Sequence, residues 1–113
     1  MIVNYTDNGW EVVLHPSHAL LAGHLAERLE LKHRIPFWFE TLMAIVEHDD
    51  MEERFFRHQL LAECGGPKHF AFVRFDAKER FSGAAKRIQN AYNKHRWVGL
   101  LQSMHQDFLY AQE

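Results

Sequence analysis

The chain has 113 residues, 47% hydrophobic and 25% charged, with a formal net charge of −2; this balance fits one globular domain over residues 1–113 and gives no bulk attraction for nucleic acid. Its one cysteine, Cys64, excludes an intramolecular disulfide. With no basic, apolar leader and no stretch able to span a bilayer, the expectation is a cytoplasmic protein with no membrane partner.

Residues 2–5 and 10–14, IVNY and WEVVL, are β-prone runs around Thr6-Asp7-Asn8-Gly9. Asn-Gly tolerates positive φ at both positions, so a small N-terminal hairpin is expected. His15-Pro16-Ser17 opens a helix, with Pro pre-set for the first turn. It runs to about residue 32, and Leu21, Ala22, Leu25, Ala26 and Leu29 form its apolar stripe. Pro36 starts a second helix, FWFETLMAIVEHDD, apolar on most of its circumference and so expected at the centre of the fold. A third helix is expected over residues 51–63, stopped by Cys64-Gly65-Gly66-Pro67.

Residues 68–80 read either as a short strand or as an extended loop. Ser82 and Gly83 precede a fourth helix to about residue 95, with Ala84, Ala85, Ile88, Ala91 and Tyr92 as its apolar positions. Residues 97–110 form a last helix with Trp97, Leu100, Leu101, Met104 and Phe108 inward. The fold class is mainly α: a compact bundle of about five helices with a minor β element.

Nine histidines are the compositional anomaly. At about 100° per residue His18 falls within the stripe of Leu21, Ala22, Leu25 and Leu29. Asp49 falls with Leu42, Ile45 and Val46, while His48 and His105 lie at the edges of their stripes. A buried histidine must be hydrogen-bonded or metal-bound, and a buried carboxylate needs a partner. Each residue alone has an ordinary explanation: a histidine bonded to a backbone carbonyl, or an aspartate in a salt bridge or helix cap. One cation would satisfy all four. Three nitrogens and one oxygen suit Fe, Mn, Co, Ni or Zn better than Mg or Ca. Such an ion makes a bound water nucleophilic near neutral pH and polarises a phosphoryl oxygen. Asp50 is then the candidate catalytic residue, placed to orient that water, or else a solvated acid at a helix end. His15 and His24 are weaker candidates, for a second ion or, as the more ordinary reading, as surface residues. Lys68, Arg74 and Lys86 are candidate phosphate contacts, or members of a solvated charged face.

At HPSHALLAG, EHDD and LLQSMH, and in its MIVNYTDNGW opening, the chain resembles an uncharacterised bacterial protein family across nearly its whole length. The spacing of His18 and the His48-Asp49 pair also resembles the HD superfamily of metal-dependent phosphohydrolases. There a histidine on one helix joins a His-Asp doublet on the next, and a distant aspartate completes the site. Here His105 stands at that last position, and Asp107 faces elsewhere by helical spacing. Where the uncharacterised family tends to follow His-Asp-Asp with Gly-Trp, this chain has Met51-Glu52. The resemblance implies an HD-like helical fold with a divalent transition metal on His18, His48, Asp49 and His105. It also implies hydrolysis of a small phosphate-containing substrate. A non-catalytic metal-binding or sensory module, and a structural bundle with satisfied core histidines, are the competing readings. The aromatic residues Phe37, Trp38, Phe39, Phe55 and Phe56 leave room for a homo-oligomer interface.

Overall fold

The computed structural model describes residues 1–49, 60–72 and 76–110. The N-terminal hairpin pairs β1 (Ile2–Thr6) with β2 (Gly9–Val13), antiparallel, with Tyr5 opposite Trp10 and Thr6 opposite Gly9. The loop is therefore Asp7-Asn8, one residue earlier than an Asn-Gly turn would put it. Of these turn residues only Gly9 takes a positive φ, +136°, a conformation that glycine adopts without a Cβ penalty. The Thr6 hydroxyl donates to the Gly9 carbonyl at 3.0 Å and closes the loop.

Four α-helices follow among the described residues: α1 (His15–Glu27), α2 (Trp38–Glu47), α3 (Ala77–Lys94) and α4 (Arg96–Tyr110). The fold is mainly helical with a β-hairpin at its start, as the sequence leads one to expect. α1 ends earlier than residue 32. The Arg34 guanidinium donates to the carbonyls of Glu27 (2.8 Å) and Leu29 (3.3 Å), so it takes up acceptors left over at the helix end. A 3₁₀ turn, Leu31–His33, leads on to α2. Phe37 precedes α2 in the left-handed region (φ 60°). Its carbonyl accepts from both the amide and the hydroxyl of Thr41, each at 2.9 Å, which holds that turn in place.

Most of the third expected helix, and with it Phe55 and Phe56, lies outside the described residues. Its last residues, from Leu60, are not helical. They form a tight turn in which Leu61 bridges Pro67 and the Lys68 amide donates to Leu60 at 2.8 Å. Tyr5 donates to the Pro67 carbonyl at 3.1 Å, and the Phe70 amide to Met1 at 2.9 Å, so this turn sits against the hairpin. Residues 70–72 are a 3₁₀ turn rather than a strand. α3 starts at Ala77, so Ser82 and Gly83 lie inside the helix and do not precede it.

The helices approach one another through small residues. Ala44, Ala91, Val98 and the partly buried Leu101 form the hydrophobic centre where α2, α3 and α4 meet. A Cβ on Gly99 would lie 2.8 Å from the Tyr92 Cα, so only glycine permits the close turn between α3 and α4. Lys94 pairs with Glu47 at 2.6 Å, and the Trp97 indole donates to Thr41 Oγ1 at 2.9 Å; both contacts tie this corner to α2. Among the described residues no helix is long and apolar enough to cross a membrane.

The helix faces differ from the expectation. On α1 the buried residues are His15, Ala19 and Gly23, while Leu21 and Leu25 are exposed. On α4 the buried face carries Val98, Gly99, Gln102 and Gln106, while Leu100, Met104 and Phe108 face solvent. Tyr92 and Ala85 of α3 are likewise exposed, and Arg87 and Ala91 are buried. In each case close helix approach selects the small or hydrogen-bonding face over the bulkier apolar one.

Candidate metal centre

His18 projects from α1 at the margin of that small-residue face, half-buried. The face lets α1 come very near α2: a Cβ on Gly23 would meet the Val46 Cγ2 at 2.5 Å. Ala19, one turn earlier on the same face of α1, is fully buried. Such an approach brings the first turns of α1 level with the end of α2, where His48 and Asp49 sit. The His18 and His48 rings lie edge-on with centroids 5.7 Å apart. His18, His48 and Asp49 each offer a ligand atom, all within 4.8 Å of one another. His105 arrives from α4 on its buried polar side. Its ring stands at 88° to His48 with centroids 5.1 Å apart, and its Nε2 is 3.9 Å from Asp49 Oδ1.

Two local features orient this cluster. His48 Nδ1 lies 2.6 Å from the Ile45 carbonyl. A carbonyl only accepts, so Nδ1 carries a proton; Nε2 then offers a lone pair when the ring is neutral and a second N–H when it is protonated. That Nε2 lies 3.0 Å from Asp49 Oδ2. A lone pair and an ionised carboxylate oxygen at this distance repel unless a proton or a cation lies with them. Two donors about 2.1 Å from one ion and about 90° apart are separated by about 3.0 Å, so the doublet fits a transition metal as a chelating pair. The Gln102 amide also donates to the His48 carbonyl at 3.4 Å, from α4.

The second feature is electrostatic. Asp49 follows the C-terminal end of α2, where unsatisfied carbonyls already carry partial negative charge. Burial pushes the Asp49 carboxyl up; the His48 hydrogen bond and the positive charges of His48, His15 and His105 outweigh burial and hold it below its ordinary value. The carboxylate is thus kept ionised in a half-buried position that attracts positive charge. The nitrogen-rich donor set with one carboxylate fits Mn, Fe, Co, Ni or Zn and not Ca, which requires mostly oxygen.

His15 belongs to this neighbourhood, although the sequence places it ahead of the helix. It is the first residue of α1, 5% exposed, one turn before His18, and it packs edge-on against Phe70 at 5.5 Å. Its position one residue before proline makes it look like a cap; its ring contact with the distant Phe70 is one that no local pattern announces. His24 is exposed, as is Asp107. His69 stacks on Phe70 with centroids 4.7 Å apart. Lys68 is half-buried and Lys86 exposed, and neither appears among the groups that influence Asp49. Asp50, the expected catalytic residue, and Arg74 lie outside the described residues.

The geometry thus defines a helical protein in which His18, His48 and Asp49 form one close group, while His105 approaches Asp49 from α4 without joining that group. Its sequence matches, over residues 1–113, a family described as protein of unknown function (DUF3891), and the chain belongs to that family. Neither a curated protein nor a solved structure matches it significantly.

Proposed function

We propose that the chain is a metal-dependent phosphohydrolase with an HD-like arrangement, in which His18, His48, Asp49 and His105 hold one divalent transition metal. The observation that carries this reading is the His48-Asp49 pair. His48, its Nδ1–H held by the Ile45 carbonyl, presents Nε2 3.0 Å from one Asp49 oxygen; His18 completes a group whose ligand atoms lie within 4.8 Å of one another, and His105 Nε2 lies 3.9 Å from the other Asp49 oxygen. A metal there would supply Lewis acidity toward a phosphoryl oxygen and lower the pKa of water. The chain's own contribution is to keep Asp49 ionised, hold the His48 tautomer, and present His18 and His105 from separate helices. In this reading Asp50, next to the doublet, positions the attacking water. The hydrolase assignment leans on the resemblance to the HD superfamily, since a site and not a fold determines chemistry.

The test begins with metal analysis of untagged protein purified without chelator. About one equivalent of a transition metal, lost in His18→Ala and His48→Ala, supports the centre. Turnover of phosphate esters by the metal-loaded protein supports the hydrolase. Stoichiometric metal without turnover favours a closed, non-catalytic site in which protein donors fill the coordination sphere. Protein that holds no metal and gains no stability from Mn, Fe, Co, Ni or Zn refutes the reading.

A further inference from the structure

α3 and α4 bury a cation that the metal centre does not use. Arg87 is 8% exposed, yet its side-chain partner is neutral: Nη2 donates to Gln106 Oε1 at 2.7 Å. Its Nε is buried without a hydrogen-bond partner, and no carboxylate of the described residues pairs with it. A guanidinium stays protonated at any ordinary pH and carries five N–H donors. Burying one beside an amide alone is costly, because no carboxylate of the described residues offsets the charge and the buried Nε–H has no acceptor. Its surroundings join it to the centre already described. Gln106 follows His105 in sequence, and Gln102, one turn earlier, holds the His48 carbonyl. Gln102, His105 and Gln106 form one polar stripe on the inner side of α4, with the guanidinium at one end and the His48-Asp49 doublet at the other. Gly83, one turn before Arg87 on α3, carries no side chain over Nη1, to which a Cβ would come within 3.7 Å.

We propose that Arg87 is an anion-binding residue of this protein, taking a phosphoryl oxyanion beside the metal centre. A buried guanidinium with unused donors matches the geometry of phosphate oxygens, with which it forms charge-assisted, often paired hydrogen bonds. That the anion is the substrate's phosphoryl group rests on the hydrolase reading; the anion site itself rests on Arg87 alone. Gln106, which accepts from Nη2, holds the guanidinium in place and is a positioning residue.

Inorganic phosphate is the probe. It is titrated at constant ionic strength into wild-type, Arg87→Gln and Arg87→Lys protein, as purified and after chelator treatment. Melting temperature and the Arg Nε–H signals in a proton–nitrogen correlation spectrum are followed, and metal content is measured in parallel. The Arg87 Nε–H signal, identified by its loss in Arg87→Lys, is expected to shift in wild-type protein. Phosphate affinity is expected to fall at least about tenfold in Arg87→Gln. Metal content should be unchanged in either variant. An unmoved Arg87 signal, or equal phosphate affinity in wild type and Arg87→Gln, overturns the proposal. If Arg87→Gln does not fold, the wild-type signal and Arg87→Lys still decide the matter. Phosphate binding that depends on Arg87, in protein that holds no metal as purified and gains no stability from Mn, Fe, Co, Ni or Zn, would uphold the anion site while removing the hydrolase reading. The converse result would do the reverse.

Discussion

Gly23→Ala adds one methyl group where α1 crosses α2. Its Cβ would stand 2.5 Å from the Val46 Cγ2, against the 3.4–4 Å of ordinary contact. Val46 cannot readily turn away, because a β-branched side chain in a helix has one strongly preferred rotamer. The helices must therefore separate by about 1 Å. Overpacking of this kind costs about 1–3 kcal/mol, and the better helix propensity of alanine returns about 1 kcal/mol. The net expectation is a destabilisation of about 1 kcal/mol, a fall in melting temperature of about 3–8 °C for a chain of this size. The larger effect falls on the centre. α1 carries His18 and α2 carries His48 and Asp49, whose ligand atoms lie within 4.8 Å of one another. Metal sites tolerate only about 0.2 Å in ligand distance, so metal affinity should fall on the order of 10- to 100-fold. Calorimetry and competition with a chromophoric chelator measure the two effects. A variant that melts higher than wild type and holds metal equally well would refute the argument that this glycine sets the helix spacing.

Asp49→Ala should abolish stoichiometric metal, whereas His24→Ala, at an exposed position, should leave it unchanged; metal analysis of both variants decides. Gly99→Ala should destabilise by at least about 2 kcal/mol, read from chemical denaturation, because its Cβ meets the Tyr92 backbone, which cannot swing aside. Thr41→Val should cost about 1–3 kcal/mol in the same assay, since the Trp97 indole N–H loses its acceptor in a partly buried place. Lowering the pH from about 7 to about 5 should release the metal, because protons compete for ligating imidazoles. Asp49 does not account for release in that window. Its pKa is depressed, so the stability its ionised form contributes is present above the unfolded value and lost only as pH falls through the lower folded value. Full metal content after dialysis at about pH 5 would contradict an imidazole-rich site.

The residues that converge are legible where polarity interrupts an apolar run. His48-Asp49 at the end of α2 is such an interruption, and the order of His18, the doublet and His105 along three helices can be read without coordinates. The faces of those helices cannot. Leu21 and Leu25 dominate any periodicity count on α1, yet Gly23 and Ala19 make the contact, because close approach depends on what is missing from a side chain. Arg87, Gln102 and Gln106 are invisible for the opposite reason. They look like surface residues, and only helix pairing reveals that α3 and α4 enclose them. The hairpin is a milder case: the Asn-Gly signal locates the reversal, but the pairing of Thr6 with Gly9 shifts its loop by one residue.

The centre draws on chain segments roughly 30 and roughly 60 residues apart, which makes it a clasp on the topology as well as a site. Bringing such distant points together is slow and entropically costly for an unfolded chain. Its donors therefore meet only when α1 has docked on α2 and α4 has docked on α2 in turn. An ion captured there binds the native state alone and shifts the folding equilibrium by its own binding free energy. If the proposed centre holds metal, occupancy would report whether the whole chain is folded, and protease resistance should rise and fall with the supply of metal.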